Sequence, residues 1–233
     1  MKIKLIILLI MLFFVSFPFI SGASSGNMVK DELIYTINEY IKKAEVLDED
    51  SDNRYTYFKR ASKLAEDIIK KYPNDDTGYA YLAYTLGSTM EQAPFYEKIE
   101  LAKKVEKAAE KAIEINENNH MALFILGMIN KEASEIEGFQ KTLAKQFLND
   151  IIKNASFKRA IEYFEKAVNL DKNNAQYLYE MAKTYEEIDK IERAKNIYRK
   201  LLNLEITNKK EQKYVERARK RIDKLEKFSL LYE

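Results

Sequence analysis

Cysteine and tryptophan are absent from this 233-residue chain, and glycine and proline are scarce, with 6 and 3 residues. Without cysteine the protein can form no disulfide, no thiolate zinc site, no thiol nucleophile and no lipoprotein anchor. The few glycines and prolines argue against an all-β protein, which needs many tight turns. The chain is 46% hydrophobic and 33% charged, which is typical of a well-packed helical protein with a polar surface.

The chain also lacks a marked excess of positive or negative charge. The chain has 39 basic and 37 acidic residues. Lys2 and Lys4 lie in a segment that we expect to be removed, which leaves 37 of each sign. A neutral chain with interspersed charges gives no electrostatic reason to expect a nucleic-acid partner.

The first 23 residues have the pattern of an export signal. Two lysines precede an apolar run from Leu5 to Ile20, and Ser21 and Ala23 place small residues at the −3 and −1 positions of a cleavage site. The run is shorter than the roughly 20 residues of a membrane span. We therefore predict a signal peptide at 1–23, followed by a short linker at 24–27. The alternative is an uncleaved N-terminal anchor, the only case in which we expect membrane contact.

A pattern of small and large apolar residues organises the rest of the chain. In residues 175–208, Ala182 and Ala194 stand where two helices must approach closely, and larger apolar residues fill the space between them. The length of this unit, 34 residues, is that of a tetratricopeptide repeat, a helix-turn-helix module. One such unit cannot bury its apolar face alone, so the pattern predicts stacked neighbours with a concave surface.

An internal match sets the register of the repeats. Residues 111–119 (Lys-Ala-Ile-Glu-Ile-Asn-Glu-Asn-Asn) align with residues 166–174 (Lys-Ala-Val-Asn-Leu-Asp-Lys-Asn-Asn). The match divides the helical domain, predicted over 28–233, into units at about 29–75, 76–119, 120–174 and 175–208. We therefore predict an all-α fold, an α-α superhelix of three to four helix pairs resembling a tetratricopeptide-repeat solenoid. A polar-faced capping helix at 209–229 completes it.

Two units exceed the standard length, and the excess falls between their first and second helices. The larger insertion, residues 132–153, contains many apolar residues at helical spacing. This is not the composition of a linker, and it predicts an extended first helix followed by an additional helical segment packed on the scaffold.

The interrupted unit resembles the regulator of microtubule dynamics family. The resemblance covers about residues 76–205 and depends on residues 126–129 (Leu-Gly-Met-Ile), 132–134 (Glu-Ala-Ser), 141–142 (Lys-Thr) and 155–167. It implies a tetratricopeptide-type scaffold without catalytic residues. Some eukaryotic members are linked to microtubules, mitochondrial membranes and lipid binding. The Gly-x-Trp pattern of the family is absent here, and a bacterial-type export signal gives no reason to transfer the microtubule activity.

The first helices of such units line a binding groove with positions 2, 5, 9 and 12. Here these positions supply the candidate ligand-binding residues Tyr84, Phe124, Met128, Tyr179 and Lys183. Only Lys183 suits a clamp for a terminal carboxylate, so the set predicts an apolar, aromatic-lined groove for a peptide side chain or an acyl chain. The alternative is that the N-terminal helix pair or the insertion fills the groove as core.

No catalytic, metal or cofactor site is predicted. His120 is the only histidine, and one imidazole without a partner residue forms neither a metal site nor a catalytic triad. The acidic residues at 48–52 lack the glycine and terminal glutamate of a calcium-binding loop. The chain contains no phosphate-binding glycine loop and no nucleophile elbow.

Two functions fit this sequence. The first is an exported, periplasmic or secreted bacterial scaffold that is not an enzyme and binds an extended segment of an envelope protein in its groove. This hypothesis expects that alanine at Tyr84, Phe124 and Tyr179 abolishes capture of the partner without unfolding the protein. The alternative is a carrier of a lipid or another apolar ligand in the same groove.

Overall fold

The computed structural model describes residues 23–48 and 51–231, so the predicted signal peptide lies outside the described residues except for Ala23. The described part of the chain contains helices and no strand, which confirms the predicted all-α class. Its eleven α-helices are α1 (Ala23–Glu45), α2 (Asp52–Lys71), α3 (Asp76–Thr89), α4 (Phe95–Ile115), α5 (His120–Glu135), α6 (Gly138–Phe147), α7 (Asn149–Asn154), α8 (Phe157–Leu170), α9 (Ala175–Glu187), α10 (Ile191–Leu202) and α11 (Lys209–Leu231).

Side chains at the turns between units fix where the first helices begin. Asp75 accepts a hydrogen bond from the Thr77 amide at 3.0 Å. Asn119 accepts one from the Ala122 amide at 2.9 Å, and Asn174 accepts one from the amide three residues further on. Each side chain satisfies an amide that the helix leaves without an internal partner. The repeated Asn-Asn pairs of the sequence are therefore helix starts, and α3, α5 and α9 begin at residues 76, 120 and 175.

The helices pack as successive pairs along the chain. α1 packs on α2, α3 on α4, α5 on α8 and α9 on α10, and α11 lies against both helices of the last pair. The pairing of α5 with α8 spans the predicted insertion, which forms the end of α5 together with α6 and α7. In the unit before it, the excess residues form a 3₁₀ turn at Met90–Gln92 and a longer second helix of 21 residues. The predicted superhelix of helix pairs is confirmed.

The start of α1 differs from the sequence-based expectation. Residues 24–27 were predicted as a linker, but α1 begins at Ala23 and includes them. Serine and asparagine are moderately poor helix formers, and Gly26 is a strongly unfavourable one. Adding a turn to an existing helix is nevertheless easier than nucleating one, so the helix that follows can extend into these residues. No helix in the described ranges is both long and apolar enough to cross a membrane.

Small residues allow the paired helices to approach closely. Ala83 in α3 and Ala182 in α9 are fully buried, and Gly127 takes the corresponding place in α5. A Cβ atom on Gly127 would lie 2.5 Å from a ring carbon of Phe164, a fully buried residue of α8. The missing side chain of Gly127 therefore provides the space in which the Phe164 ring packs.

We expect Gly127→Ala to destabilise the protein by about 1–2 kcal/mol, because overpacking of the core outweighs the better helix propensity of alanine. Gly87→Ala in α3 is the matched control. Its added methyl group would meet only Val105, at 3.9 Å, and should stabilise the helix by about 0.5–1 kcal/mol. Urea unfolding of both variants measures the difference. Equal free energies of unfolding for the two variants would contradict the close-packing role of Gly127.

Candidate functional site: a charged concave cavity

The first helices of three successive units frame a cavity of about 430 Å³ on the concave face. Tyr84 of α3, Met128 of α5 and Gln176 of α9 all line it. The N-terminal half of α11 also lines it, with Lys210, Lys213, Tyr214 and Arg217. We call this space the concave cavity. The capping helix of the sequence-based prediction is thus part of the site as well as the end of the solenoid.

Tyr84 joins the first and last helices of the described chain. Its hydroxyl donates a hydrogen bond to Glu45 at the end of α1, at 2.5 Å. The Lys210 ammonium at the start of α11 donates to the same Glu45 oxygen at 2.6 Å and to the Tyr84 hydroxyl at 3.1 Å. These three contacts, one of them between residues 165 positions apart, join α1, α3 and α11 at the edge of the concave cavity.

The position of α11 is fixed by its contact with α9. Arg221 donates hydrogen bonds to both carboxylate oxygens of Glu186, one of them at 3.1 Å. The Tyr198 hydroxyl of α10 also donates to Glu186, at 2.5 Å. Glu186 is largely buried, so these charge-assisted bonds hold α11 in a defined place across the last unit.

Phe124 contributes to the core more than to the cavity. It is only 1% exposed, its ring stacks on Tyr177 with centroids 4.4 Å apart, and it also contacts Phe164. One edge of Phe124 reaches the concave cavity. Met128, one turn later, is half-buried and lines the cavity more openly.

Tyr179 and Lys183 do not line the cavity. Tyr179 is buried, with ring centroids 5.8 Å from Tyr198 and 5.5 Å from Tyr214. Burial raises the pKa of the Tyr179 hydroxyl. Lys183 is half-buried one turn further along α9. The structure therefore brings Tyr84, Phe124 and Met128 together and separates the other two residues, because α11 packs over the last unit.

The cavity wall is more polar than the predicted apolar groove. Five cationic side chains line the concave cavity: Arg54, Lys98, Lys210, Lys213 and Arg217. Three carboxylates line it: Glu45, Glu132 and Glu180.

The basic residues of α11 were missed as site residues because their helix also has the pattern of a solvated cap. The spacing of Lys210, Lys213, Tyr214 and Arg217, at intervals of three and four, already places them on one helix face. That spacing was the available indication that α11 presents a basic face.

A buried ion-pair network lies behind this wall. Lys131 of α5 is 3% exposed, and its ammonium lies 3.1 Å from Glu180 of α9 and 3.6 Å from Glu135. Burial disfavours the charged ammonium, but the two carboxylates outweigh this and raise the pKa of Lys131. Lys131 is therefore charged, and it balances one of the three carboxylates that face the cavity.

A second cavity, of about 310 Å³, opens beside the first. Helices α4 and α5 and the insertion helices α6 and α7 enclose it. Its lining is mainly aliphatic: Ile99, Ile129, Ala133, Ala144, Leu148 and Ile151. We call it the side cavity. Met90, Lys98, Ile129 and Glu132 line both cavities, so the side cavity adjoins the concave cavity along these residues. We call this shared border, which includes two charged side chains, the mouth of the side cavity.

His120 lies outside both cavities. Its Nδ1 is 3.0 Å from the Tyr177 hydroxyl and 4.0 Å from Asp171. These residues belong to the starts of α5 and α9 and the turn before α9, so the contacts connect two neighbouring units. Across the described residues no group of three or more metal-ligating side chains occurs.

The family model described as Regulator of microtubule dynamics protein 1-3 matches residues 31–226. The chain belongs to this family. The match begins in α1 and ends in α11, whereas the resemblance seen in the sequence covered about residues 76–205. The first helix pair and the last helix, which meet at Tyr84, are thus part of the region shared by the regulator of microtubule dynamics family.

Solved structures with similar helical arrangements include MamA, which is 16% identical, with 78% of this chain and 98% of MamA covered and a TM-score of 0.41. Another is TTC0263, a tetratricopeptide-repeat protein of Thermus thermophilus. It is 13% identical, with 81% of this chain and 97% of that chain covered and a TM-score of 0.48. No curated protein matches the chain.

Proposed function

We propose that this member of the regulator of microtubule dynamics family is a non-catalytic interaction scaffold that binds an extended segment of a partner protein in the concave cavity. The observation that carries this proposal is the cavity itself. Side chains from three successive first helices and from α11 converge on it. They include aromatic, thioether, cationic and carboxylate groups, which together suit a peptide better than a single small substrate.

The proposal places the protein outside the cytoplasm, in the periplasm or in the medium of a bacterium. The basic start, the apolar run and the small residues at 21–23 support export. An exported protein does not meet microtubules, so the partner that we propose is an envelope protein. The non-catalytic role is supported by the position of the single histidine, which contacts Tyr177 between two units and does not line the cavity.

Site-specific photocrosslinking tests the scaffold proposal in the native cell envelope. A photoreactive benzoylphenylalanine replaces Gln176, which lines the concave cavity, or, as the matched control, the exposed Glu162 of α8. We expect a discrete protein adduct from position 176 and none from position 162. Adducts of equal yield from both positions, or from neither, would refute binding in the concave cavity.

A second candidate is a carrier of a lipid or another apolar ligand. The observation that favours it is the aliphatic side cavity, which lies at the lower end of the volume range of small-molecule pockets, about 300–1,000 Å³. Native mass spectrometry of residues 24–233, purified gently from an export host, tests this role. A lipid-sized adduct that disappears on denaturation supports the carrier, and a bare protein supports the scaffold.

A further inference from the structure

We infer that the partner segment is acidic and that it inserts one large apolar side chain into the side cavity. This inference rests on the proposed scaffold function and specifies the chemistry of its partner. It follows from two features of the described residues: the excess of cations around the concave cavity, and the aliphatic space that opens from its mouth.

The charges of the concave cavity favour an anionic ligand. Five cations and three carboxylates line it, although the chain without its first 23 residues is neutral. Two of the carboxylates already contact lysines: Glu45 lies 2.6 Å from Lys210, and Glu180 lies 3.1 Å from Lys131, which stands behind the wall. Cationic side chains therefore outnumber carboxylates around the concave cavity, and this local excess of positive charge favours acidic partners.

The side cavity favours an apolar anchor. Its wall consists of aliphatic side chains from α4, α5 and the insertion, and the polar groups that it includes, Lys98 and Glu132, stand where it meets the concave cavity. A phenylalanine or leucine side chain placed there would remove apolar area from water at roughly 25 cal/mol per Å². Buried apolar anchors of this kind are typical hot spots of protein interfaces.

The geometry of the mouth joins the two requirements in one short segment. Lys98 and Glu132 line both cavities, so a chain whose anchor enters the side cavity passes directly beside charged side chains. The volumes of about 430 and 310 Å³ suit a few residues and not a folded domain. The recognised element is therefore a short extended segment with carboxylates on either side of one large apolar residue.

Binding of labelled peptides to residues 24–233, the chain without its predicted signal peptide, tests this inference. The probe is a fluorescent peptide of about twelve residues, with a central phenylalanine between clusters of glutamate and aspartate. One matched peptide has alanine in the centre, and another has lysines in place of the acids. We expect the acidic phenylalanine peptide to bind most tightly, with a dissociation constant that rises with salt. The alanine peptide should bind about tenfold more weakly, and the lysine peptide should not bind.

Variants locate the two contacts. Lys213→Gln with Arg217→Gln should weaken both acidic peptides about tenfold, whereas Arg219→Gln with Lys220→Gln, on exposed positions of the same helix, should leave binding unchanged. Lys98→Gln, on α4, tests the charged contact independently if the changes in α11 disturb the packing of that helix.

Ala102→Leu, which fills the side cavity, should reduce the affinity for the phenylalanine peptide to that for the alanine peptide and leave binding of the alanine peptide unchanged. Ile136→Ser, which places a hydroxyl group in the lining of the side cavity, should likewise weaken binding of the phenylalanine peptide.

Three results would overturn the inference. The first is equal binding of acidic and basic peptides. The second is an unchanged affinity for acidic peptides both in Lys213→Gln with Arg217→Gln and in Lys98→Gln. The third is equal binding of the phenylalanine and alanine peptides. Extraction of lipid from phosphatidylglycerol-containing vesicles, without any peptide binding, would assign the same chemistry to a lipid and also overturn it. If adducts at position 176 persist in cells carrying Lys213→Gln and Arg217→Gln, the scaffold proposal stands while the acidic partner is refuted. If position 176 gives no adduct in any cell, the scaffold proposal itself fails.

Discussion

Replacing Phe124 with alanine is expected to lower the free energy of unfolding by about 3–5 kcal/mol, the usual cost of removing a buried phenylalanine. Phe124 is almost completely buried, and it packs between Tyr177 and Phe164 in the middle of the largest core cluster. Its ring connects α5 to α8 and α9, so the cavity left by alanine would weaken two helix contacts at once. Urea or thermal unfolding followed by circular dichroism measures the loss.

Met128→Ala is the matched comparison for Phe124→Ala. Met128 stands one turn away on the same helix but is only half-buried and lines the concave cavity. Its truncation should cost less than about 2 kcal/mol, with peptide binding as the more sensitive measurement. If Phe124→Ala left the stability intact and abolished peptide binding, Phe124 would be a ligand-binding residue and its assignment to the core would be wrong.

The burial of Phe124 also rules out the triple alanine variant as a test of the predicted groove. Alanine at Tyr84, Phe124 and Tyr179 was expected to abolish capture without unfolding the protein. Phe124 and Tyr179 are both buried, so that triple variant would lose core packing and could not isolate binding. Substitutions at Lys213, Arg217 and Lys98, which line the cavity with polar groups, separate the two effects.

Local features of the sequence account for the helix pairs. Asn119 and Asn174 cap helices through their own side chains, so the positions of the helix starts follow from residues within a few positions along the chain. Ala83, Gly127 and Ala182 are small residues buried at helix contacts, and at Gly127 even an added methyl group would clash with Phe164. Both kinds of residue act over short distances, and for that reason a nine-residue internal match was sufficient to register the units.

The site depends on contacts that sequence periodicity cannot supply. The position of α11 over the last unit results from Arg221 with Glu186 and from Lys210 with Glu45, pairs separated by 35 and 165 positions. An apolar stripe looks the same whether it faces a neighbouring helix or a cavity, which is why Tyr179 was grouped with Tyr84. The insertion was correctly predicted to be helical. The side cavity, however, lies between four helices, and the sequence pattern of a single helix does not reveal it.

Replacing Lys131 with methionine, an unbranched side chain without a charge, is expected to destabilise the protein by about 3–5 kcal/mol. The change would leave Glu180, whose side chain is 13% exposed, without its partner at 3.1 Å. Removing one member of a buried ion pair leaves the other charge without compensation, and this costs more than the pair contributes. Because α5 and α9 begin successive units, the loss should reduce the cooperativity between them, and urea unfolding measures both effects.

A double-mutant cycle with Glu180→Gln separates the two contributions to this loss. If the cost arises from the unpaired carboxylate, the double variant should recover most of the stability lost in Lys131→Met alone, because glutamine can be buried at a far smaller penalty than an ionised group. Lys195→Met is the matched control, since Lys195 is also buried but its partner Glu192 is exposed and can return to water. Additive losses in the cycle would show that Lys131 acts only through the packing of its stem. Strong coupling would show that the ion pair of Lys131 and Glu180, behind the cavity wall, stabilises the contact between α5 and α9.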